Sequence, residues 1–110
     1  MGYELYEQLD KKTKDLDTCL KVLRENGQKL AEAEYNYKVA LSKKVFELKD
    51  KGEKATTIGL IVYGIEPVAT LRRKRDLAQV TYTANIEALN VIKLEIKILQ
   101  NQIDKEYANA

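Results

Sequence analysis

Residues 67–103 read PVATLRRKRDLAQVTYTANIEALNVIKLEIKILQNQI, and this stretch decides the fold. Mostly apolar side chains recur in it every seven residues, along two lines that alternate in three- and four-residue steps. Such spacing places both lines on one face of an α-helix, at the a and d positions of a heptad. Pro67 fits the first helical position, where its missing N–H is harmless. The pattern therefore predicts a helix over about residues 67–107. The seam consists of Leu71, Ala78, Asn85, Ile92 and Leu99 on one line, and Arg75, Tyr82, Leu89, Ile96 and Ile103 on the other.

A third apolar line runs along the same helix. A pair of helices sharing one seam does not need this line, so the second helix is predicted to bury two faces. Self-association is the simplest way to cover the extra face, most simply with two copies forming a four-helix bundle. The chain is therefore predicted to be a homo-oligomer, a dimer or higher. The third line consists of Leu77, Ala84, Val91 and Ile98, joined by Leu94.

The N-terminal half has a heptad pattern of its own. It predicts a first helix over about residues 3–51, with Gly52 at its C-terminal end. Cys19 is interpreted as a small buried hydrophobic residue, and the polar seam positions Asn26 and Asn85 as residues that fix the helix register. Lys12 indicates a loosely packed end. One line is Leu9, Leu16, Leu23, Leu30 and Tyr37, and the other is Leu5, Lys12, Cys19, Asn26, Ala33 and Ala40.

The linker, residues 52–66, contains the apolar run from Ile58 to Ile65. We expect a short helix here, capped by Thr56 or Thr57 and ended after Tyr63 by Gly64 in a left-handed conformation. A lone strand would find no partner in this chain. The predicted fold is all-α: a single domain over residues 1–110, folded as a long antiparallel helical hairpin of the coiled-coil type.

Composition excludes most catalytic chemistry. The 110 residues contain no histidine and one cysteine, so the usual general base and the usual zinc ligands are missing. Neither a Walker loop nor a G-x-G-x-x-G motif is present. The chain is therefore predicted not to be an enzyme, with no catalytic, metal-binding or cofactor-binding residues and no cofactor.

The location of the protein is predicted from the same composition. No run of 18 apolar residues occurs, so no membrane-spanning helix is expected. The first twenty residues contain several acidic side chains and no apolar core, unlike a secretory signal. A single cysteine fits a reducing compartment. These features predict a cytoplasmic protein that does not bind membranes.

The basic run Arg72, Arg73, Lys74 and Arg75 is the main departure from a balanced charge pattern, since the net charge is only +2. Four consecutive helical residues cover about 300° of the helix circumference, so they do not all face one phosphate backbone. Two interpretations stay open: a solvated collar with some salt bridges, or a contact with nucleic acid or an acidic protein. Arg75 lies on the seam, where it is expected to pair with an acid of the first helix. Tyr63 is the only tyrosine near the run.

Residues 67–107 also carry a family resemblance, in the segments RKRDLA (73–78), EALN (87–90) and ILQNQI (98–103) and in Tyr82. The stretch resembles small helical proteins encoded by tailed phages and prophages of low-GC Gram-positive bacteria, often in early gene regions near recombination functions. The resemblance implies an early phage protein acting in the host cytoplasm, without catalytic residues to transfer. Such genes commonly encode recombination accessories or inhibitors of host proteins, defence systems among them.

Three functional hypotheses follow from the sequence. The first is a phage-type interaction protein, a homo-oligomeric helical bundle that binds and modulates a host or phage protein. The second is a nucleic-acid-binding accessory of phage recombination that contacts DNA through Arg72, Arg73 and Lys74. The third is a purely structural spacer.

Overall fold

Two long helices joined by a short helical segment make up the fold of this computed structural model, which describes residues 2–108. Helix α1 spans Gly2–Asp50, α2 spans Ala55–Ile61, a 3₁₀ turn spans Val62–Gly64, and α3 spans Val68–Ala108. No strand occurs among the described residues. The all-α prediction and the helical hairpin are confirmed, and the predicted helix limits lie within a few residues of the observed ones.

The end of α1 follows from the backbone freedom of glycine. Gly52 has φ +85°, a left-handed conformation that side chains with a Cβ rarely adopt. Its N–H donates to the carbonyl of Lys49 at 2.9 Å, and the N–H of Glu53 donates to the carbonyl of Leu48 at 3.0 Å. This pair of bonds is the Schellman motif, which satisfies the last carbonyls of a helix. The chain therefore leaves α1 where the sequence predicts.

The short helix exists, but its predicted ends were wrong. The residue before α2 is Lys54, whose side chain makes no capping bond, so neither Thr56 nor Thr57 is the N-cap. Gly64 closes the 3₁₀ turn without a positive φ, and is not a left-handed terminator. The helix tightens into the 3₁₀ turn instead, where the N–H of Ile65 donates to the carbonyl of Val62 at 3.3 Å. Pro67 lies one residue before α3, and its carbonyl accepts the N–H of Leu71 at 3.1 Å.

The described residues form two compact units. Unit 1 contains the part of α1 up to Glu25 and the part of α3 from Thr83. The two segments run antiparallel, and the buried residues between them include Leu89, Leu99 and Ile103. Near the chain ends, the hydroxyl of Tyr6 donates to that of Tyr107 at 2.7 Å, and this hydrogen bond raises the pKa of Tyr6.

Unit 2 comprises residues 26–82: the second part of α1, the short helical segment and the first part of α3. Its buried apolar side chains are Tyr37, Ile58, Val62 and Val68, and Val68 is fully buried. The linker therefore contributes two of the four buried apolar side chains of this unit, as expected for an apolar segment that covers the end of a helix pair. Glycine at 59 leaves open space where a Cβ would stand, so no close packing requires it.

Candidate interaction surfaces

The predicted seam lies in the interior of each unit. All twelve residues assigned to the core or oligomer seam are buried or half-buried. The reason is the heptad spacing, which keeps one face of each helix toward its neighbour. The buried members are Tyr37, Leu89, Leu99 and Ile103, and the half-buried members are Leu9, Leu16, Leu23, Leu30, Leu71, Tyr82, Ile92 and Ile96.

A polar contact crosses the seam of unit 1 at Cys19 and Asn85. The Asn85 amide lies 3.3 Å from the Cys19 sulfur and 3.5 Å from the Cys19 carbonyl, as donor to both. The Cys19 thiol in turn donates to the Asn85 carbonyl at 3.9 Å. Asn85 is the one buried polar residue of the described chain, with 8% of its surface exposed. Since an amide needs a specific partner when buried, this pair favours one register of α1 against α3.

The sequence predicts a loosely packed helix end at Lys12, but the Lys12 side chain has a specific ion-pair partner. Its ammonium lies 2.7 Å from a Glu95 carboxylate oxygen, with the two side chains 31% and 40% exposed. The hydrogen bond to Glu95 raises the pKa of Lys12. Glu95 directly precedes the seam residue Ile96, and an acidic residue beside a seam position is a sequence signal for such a pair, although the heptad pattern does not say which acidic residue lies opposite Lys12. The pair joins α1 to α3 within unit 1.

The basic run divides between different surroundings. Arg75 is half-buried and stacks over the Tyr37 ring at 4.6 Å from the ring centre. Its guanidinium pairs with Asp76 at 2.7 Å, and this hydrogen bond raises the pKa of Arg75. The predicted ion pair with an acid of the first helix was therefore wrong: the acid is the next residue on α3, and the first helix supplies an aromatic ring. Arg75 therefore contributes to the packing of α3 against α1 within unit 2.

The other three basic residues are exposed. Arg72 stacks over the Tyr63 ring, 4.7 Å from the ring centre, so a guanidinium and an aromatic ring share one patch. Arg73 and Lys74 form no salt bridge within residues 2–108. Arg72 and Arg73 also line a shallow groove with Leu77 and Val80. Three of the four cationic side chains of the basic run are therefore exposed and accessible to a partner.

The third apolar line of α3 is exposed. In unit 1 its members are Ala84, Val91, Leu94 and Ile98, here named the uncovered α3 face. Leu94 is 58% exposed, Val91 56% and Ile98 48%. At 100° per residue, these residues centre about 140° around the helix from the seam. In unit 2, Leu77 and Val80 are likewise exposed, at 55% and 66%. Large apolar side chains exposed in one line along a helix are typical of a binding surface.

A second exposed apolar surface lies on α1 in unit 2, and neither heptad line of α1 predicts it. Tyr35 and Phe46 are each 65% exposed, and a shallow groove joins them with Lys38, Val39, Ser42 and Lys43. We name these six residues the Tyr35–Phe46 surface. Positions 35, 39, 42 and 46 follow a four-three-four spacing, which is the signal that would have identified one helix face. The seam lines of α1 obscured it because Tyr35 and Phe46 belong to neither line.

Neither a metal site nor a membrane helix was found within residues 2–108. No group of three or more histidine, cysteine, aspartate or glutamate side chains is placed to hold an ion there. Across the same residues, no helix has the length and apolar character required to cross a bilayer. Comparison with protein-family models, curated proteins and solved structures finds no match to this chain.

Proposed function

We propose that this chain is a non-catalytic, self-associating interaction protein of the phage type, which binds and modulates a host or phage protein. The observation behind this proposal is the uncovered α3 face, an apolar line at heptad spacing whose large side chains are about half exposed. The resemblance of residues 67–107 to early phage proteins supports the phage context. The absence of histidine from the sequence supports a role without catalysis.

A second copy of the chain fits the uncovered α3 face. Val91 and Ile98 lie seven residues apart, and Leu94 lies between them, which is the a-d-a spacing of a second coiled-coil seam. Two such faces are self-complementary about a two-fold axis. A parallel arrangement would place Arg73 and Lys74 beside their own copies, so like-charge repulsion favours the antiparallel arrangement. The proposed assembly is an antiparallel pair of α3 helices.

The first test is the mass of the full chain in solution. Sedimentation equilibrium at micromolar concentration is expected to give a multiple of the 12.6 kDa chain mass. The double variant Val91→Asp, Leu94→Asp is expected to give the mass of one chain, because aspartate at these positions opposes burial against a second copy. Its helix content should be unchanged, since both side chains are exposed in the isolated chain.

A matched control introduces two aspartates elsewhere on α3. Lys93 and Gln100 are exposed and lie beside the seam, about 155° around the helix from the uncovered α3 face. The double variant Lys93→Asp, Gln100→Asp is therefore expected to retain the wild-type mass. A single-chain mass for the wild-type protein, or equal behaviour of the two double variants, would refute self-association through this face.

DNA binding is the second candidate function, and the Arg72–Tyr63 stack is the observation that favours it. Proteins that bind single strands combine cations with aromatic rings on which bases stack. With Arg72, Arg73 and Lys74 as the contacts, the slope of log K against log salt concentration for single-stranded DNA should be about −2. Replacing all three residues by glutamine should abolish binding. No detectable binding at about 50 mM salt would exclude this function.

A further inference from the structure

We propose that the Tyr35–Phe46 surface of α1 is a docking site for an acidic, amphipathic helix of another protein. The inference rests on the proposed function as an interaction protein, and it specifies the site and the chemistry of the partner. The surface lies wholly within unit 2, and it shares no residue with the uncovered α3 face of unit 1.

The apolar part of the surface has the form that a helix binds. Tyr35, Val39, Ser42 and Phe46 form a stripe of three helical turns, with both aromatic rings 65% exposed. A second helix packs against such a stripe by placing its own i, i+3, i+4 and i+7 side chains in the adjoining grooves. Exposed aromatic side chains are enriched among the residues that dominate binding energy. The stripe therefore fits an apolar helix face.

The charges around the stripe select an acidic partner. Lys38 and Lys43 line the groove, and neither forms a salt bridge within the described part of the chain. A neighbouring groove, which shares Tyr35, Val39 and Lys43, contains Lys44 and Glu47. Lys44 and Glu47 pair with each other at 2.8 Å, and the hydrogen bond from Lys44 lowers the pKa of Glu47. The two unpaired lysines leave the surface positive and complementary to carboxylates.

The length of the site is limited by its own acidic residues. By helical spacing, Glu32 lies about one turn before Tyr35 on this side of α1, and Asp50 about one turn beyond Phe46. Carboxylates of a partner would be repelled at both points. An acidic helix is therefore expected to contact about three turns of α1, between residues 35 and 46, with its negative charges beside Lys38 and Lys43.

A second copy of this chain is a poor occupant of the same surface. A two-fold antiparallel pairing that matches Tyr35 of one copy with Phe46 of the other also places Lys38 opposite Lys43. The pairing would then gather four lysines, two from each copy, along one interface, and such an accumulation of like charge is unfavourable. Charge thus favours a different chain, and it favours an acidic one.

The test uses the full-length protein and synthetic helical peptides. The probe is a fluorescein-labelled 18-residue peptide with leucine at positions i, i+4, i+7 and i+11 and glutamate on both flanks. Its matched control has lysine in place of every glutamate. Fluorescence anisotropy is expected to show micromolar binding of the acidic peptide, and at least tenfold weaker binding of the basic one. Tyr35→Ser with Phe46→Ser should weaken binding of the acidic peptide at least tenfold.

Charge reversal provides the decisive variant. Lys38→Glu with Lys43→Glu is expected to bind the basic peptide in preference to the acidic one. Lys11→Glu with Lys21→Glu, the same change at exposed positions of unit 1, should keep the acidic preference. Helix content by circular dichroism checks that each variant is folded. Because the peptide site shares no residue with the uncovered α3 face, Val91→Asp with Leu94→Asp should bind the acidic peptide normally.

Four results would overturn the inference. They are no binding of the acidic peptide at 100 μM, equal binding of both peptides, tighter binding of single-stranded DNA than of the acidic peptide at this surface, and loss of self-association in the Tyr35→Ser, Phe46→Ser variant. The last result would identify the surface as an interface between copies. A single-chain mass for the wild-type protein combined with selective peptide binding would reject self-association and leave the docking site standing.

Discussion

The substitution Leu89→Ala is expected to lower the free energy of unfolding by roughly 2–5 kcal/mol. Leu89 is 7% exposed, on the α3 side of the seam in unit 1. Truncation to alanine removes buried methyl groups. It also leaves a cavity, because the surrounding side chains of the two helices relax only partly into the vacated space. Urea unfolding followed by circular dichroism measures the difference. All variants must be compared at one protein concentration, because the stability of a self-associating chain depends on concentration.

The chain supplies a matched control for this experiment. Leu60 is 84% exposed in α2, so Leu60→Ala makes the same chemical change where little is buried. It should shift the free energy of unfolding by no more than about 0.5 kcal/mol, as should Arg73→Ala, whose side chain is exposed. If Leu89→Ala falls within the range of these controls, the assigned register of α3 is incorrect.

The seam was predictable from sequence because a single physical requirement, burial of one helix face, repeats along the chain. Leu9, Leu89 and Ile103 could be assigned without any structure, since heptad spacing alone determines which residues share a face. The end of α1 was equally clear, because few residues other than glycine adopt the φ of Gly52. Local and repetitive features of this kind are determined within a few residues of sequence.

The sequence did not predict which residues of the two helices pair with each other. The periodicity places Lys12 and Arg75 on the seam, but it does not state which residue of the other segment lies opposite. Lys12 pairs with Glu95, a residue beside the seam, whereas Arg75 pairs with its own neighbour Asp76 and stacks on the ring of Tyr37. Both outcomes depend on the axial offset of α1 against α3 and on side-chain length. Neither quantity is encoded in a heptad pattern.

The candidate binding surfaces illustrate the same distinction. The third line of α3 was visible in the sequence because it repeats every seven residues from Leu77 to Ile98. The Tyr35–Phe46 surface was not, because it covers only three turns and overlaps the stripe of α1 that faces α3 at Val39. The exposure of Phe46 follows from the fold and not from the heptad pattern. A surface of only a few turns beside a seam is recognised from side-chain exposure in the structure, whereas a long one is recognised from its repeat in the sequence.

Replacing Asn85 by aspartate is expected to destabilise the protein by roughly 3–5 kcal/mol at pH 7, the cost of an unpaired buried charge. Asn85 is 8% exposed, and its amide donates to the carbonyl and the sulfur of Cys19. A carboxylate has the same shape but no proton to donate, so it would face the Cys19 carbonyl oxygen as a second acceptor. The substitution therefore tests electrostatics with almost no change in volume.

The pH dependence of this variant gives a second readout with a defined sign. Burial raises the pKa of the introduced carboxyl group above its unfolded value of about 3.9, because the charged form loses solvation. The loss of folding free energy is therefore full above the pKa of the folded state, and it declines as the pH falls toward the pKa of the unfolded chain. At that lower pH the carboxyl group is protonated and again has a hydrogen to donate to Cys19. Unfolding by urea at pH 7 and pH 4, each relative to wild type, should show the deficit shrinking at pH 4. Asn90→Asp, at an exposed position of the same helix, should lose little at either pH. Equal stability of the two variants at pH 7 would mean that Asn85 reaches water, and that its contact with Cys19 does not fix the register of α1 against α3.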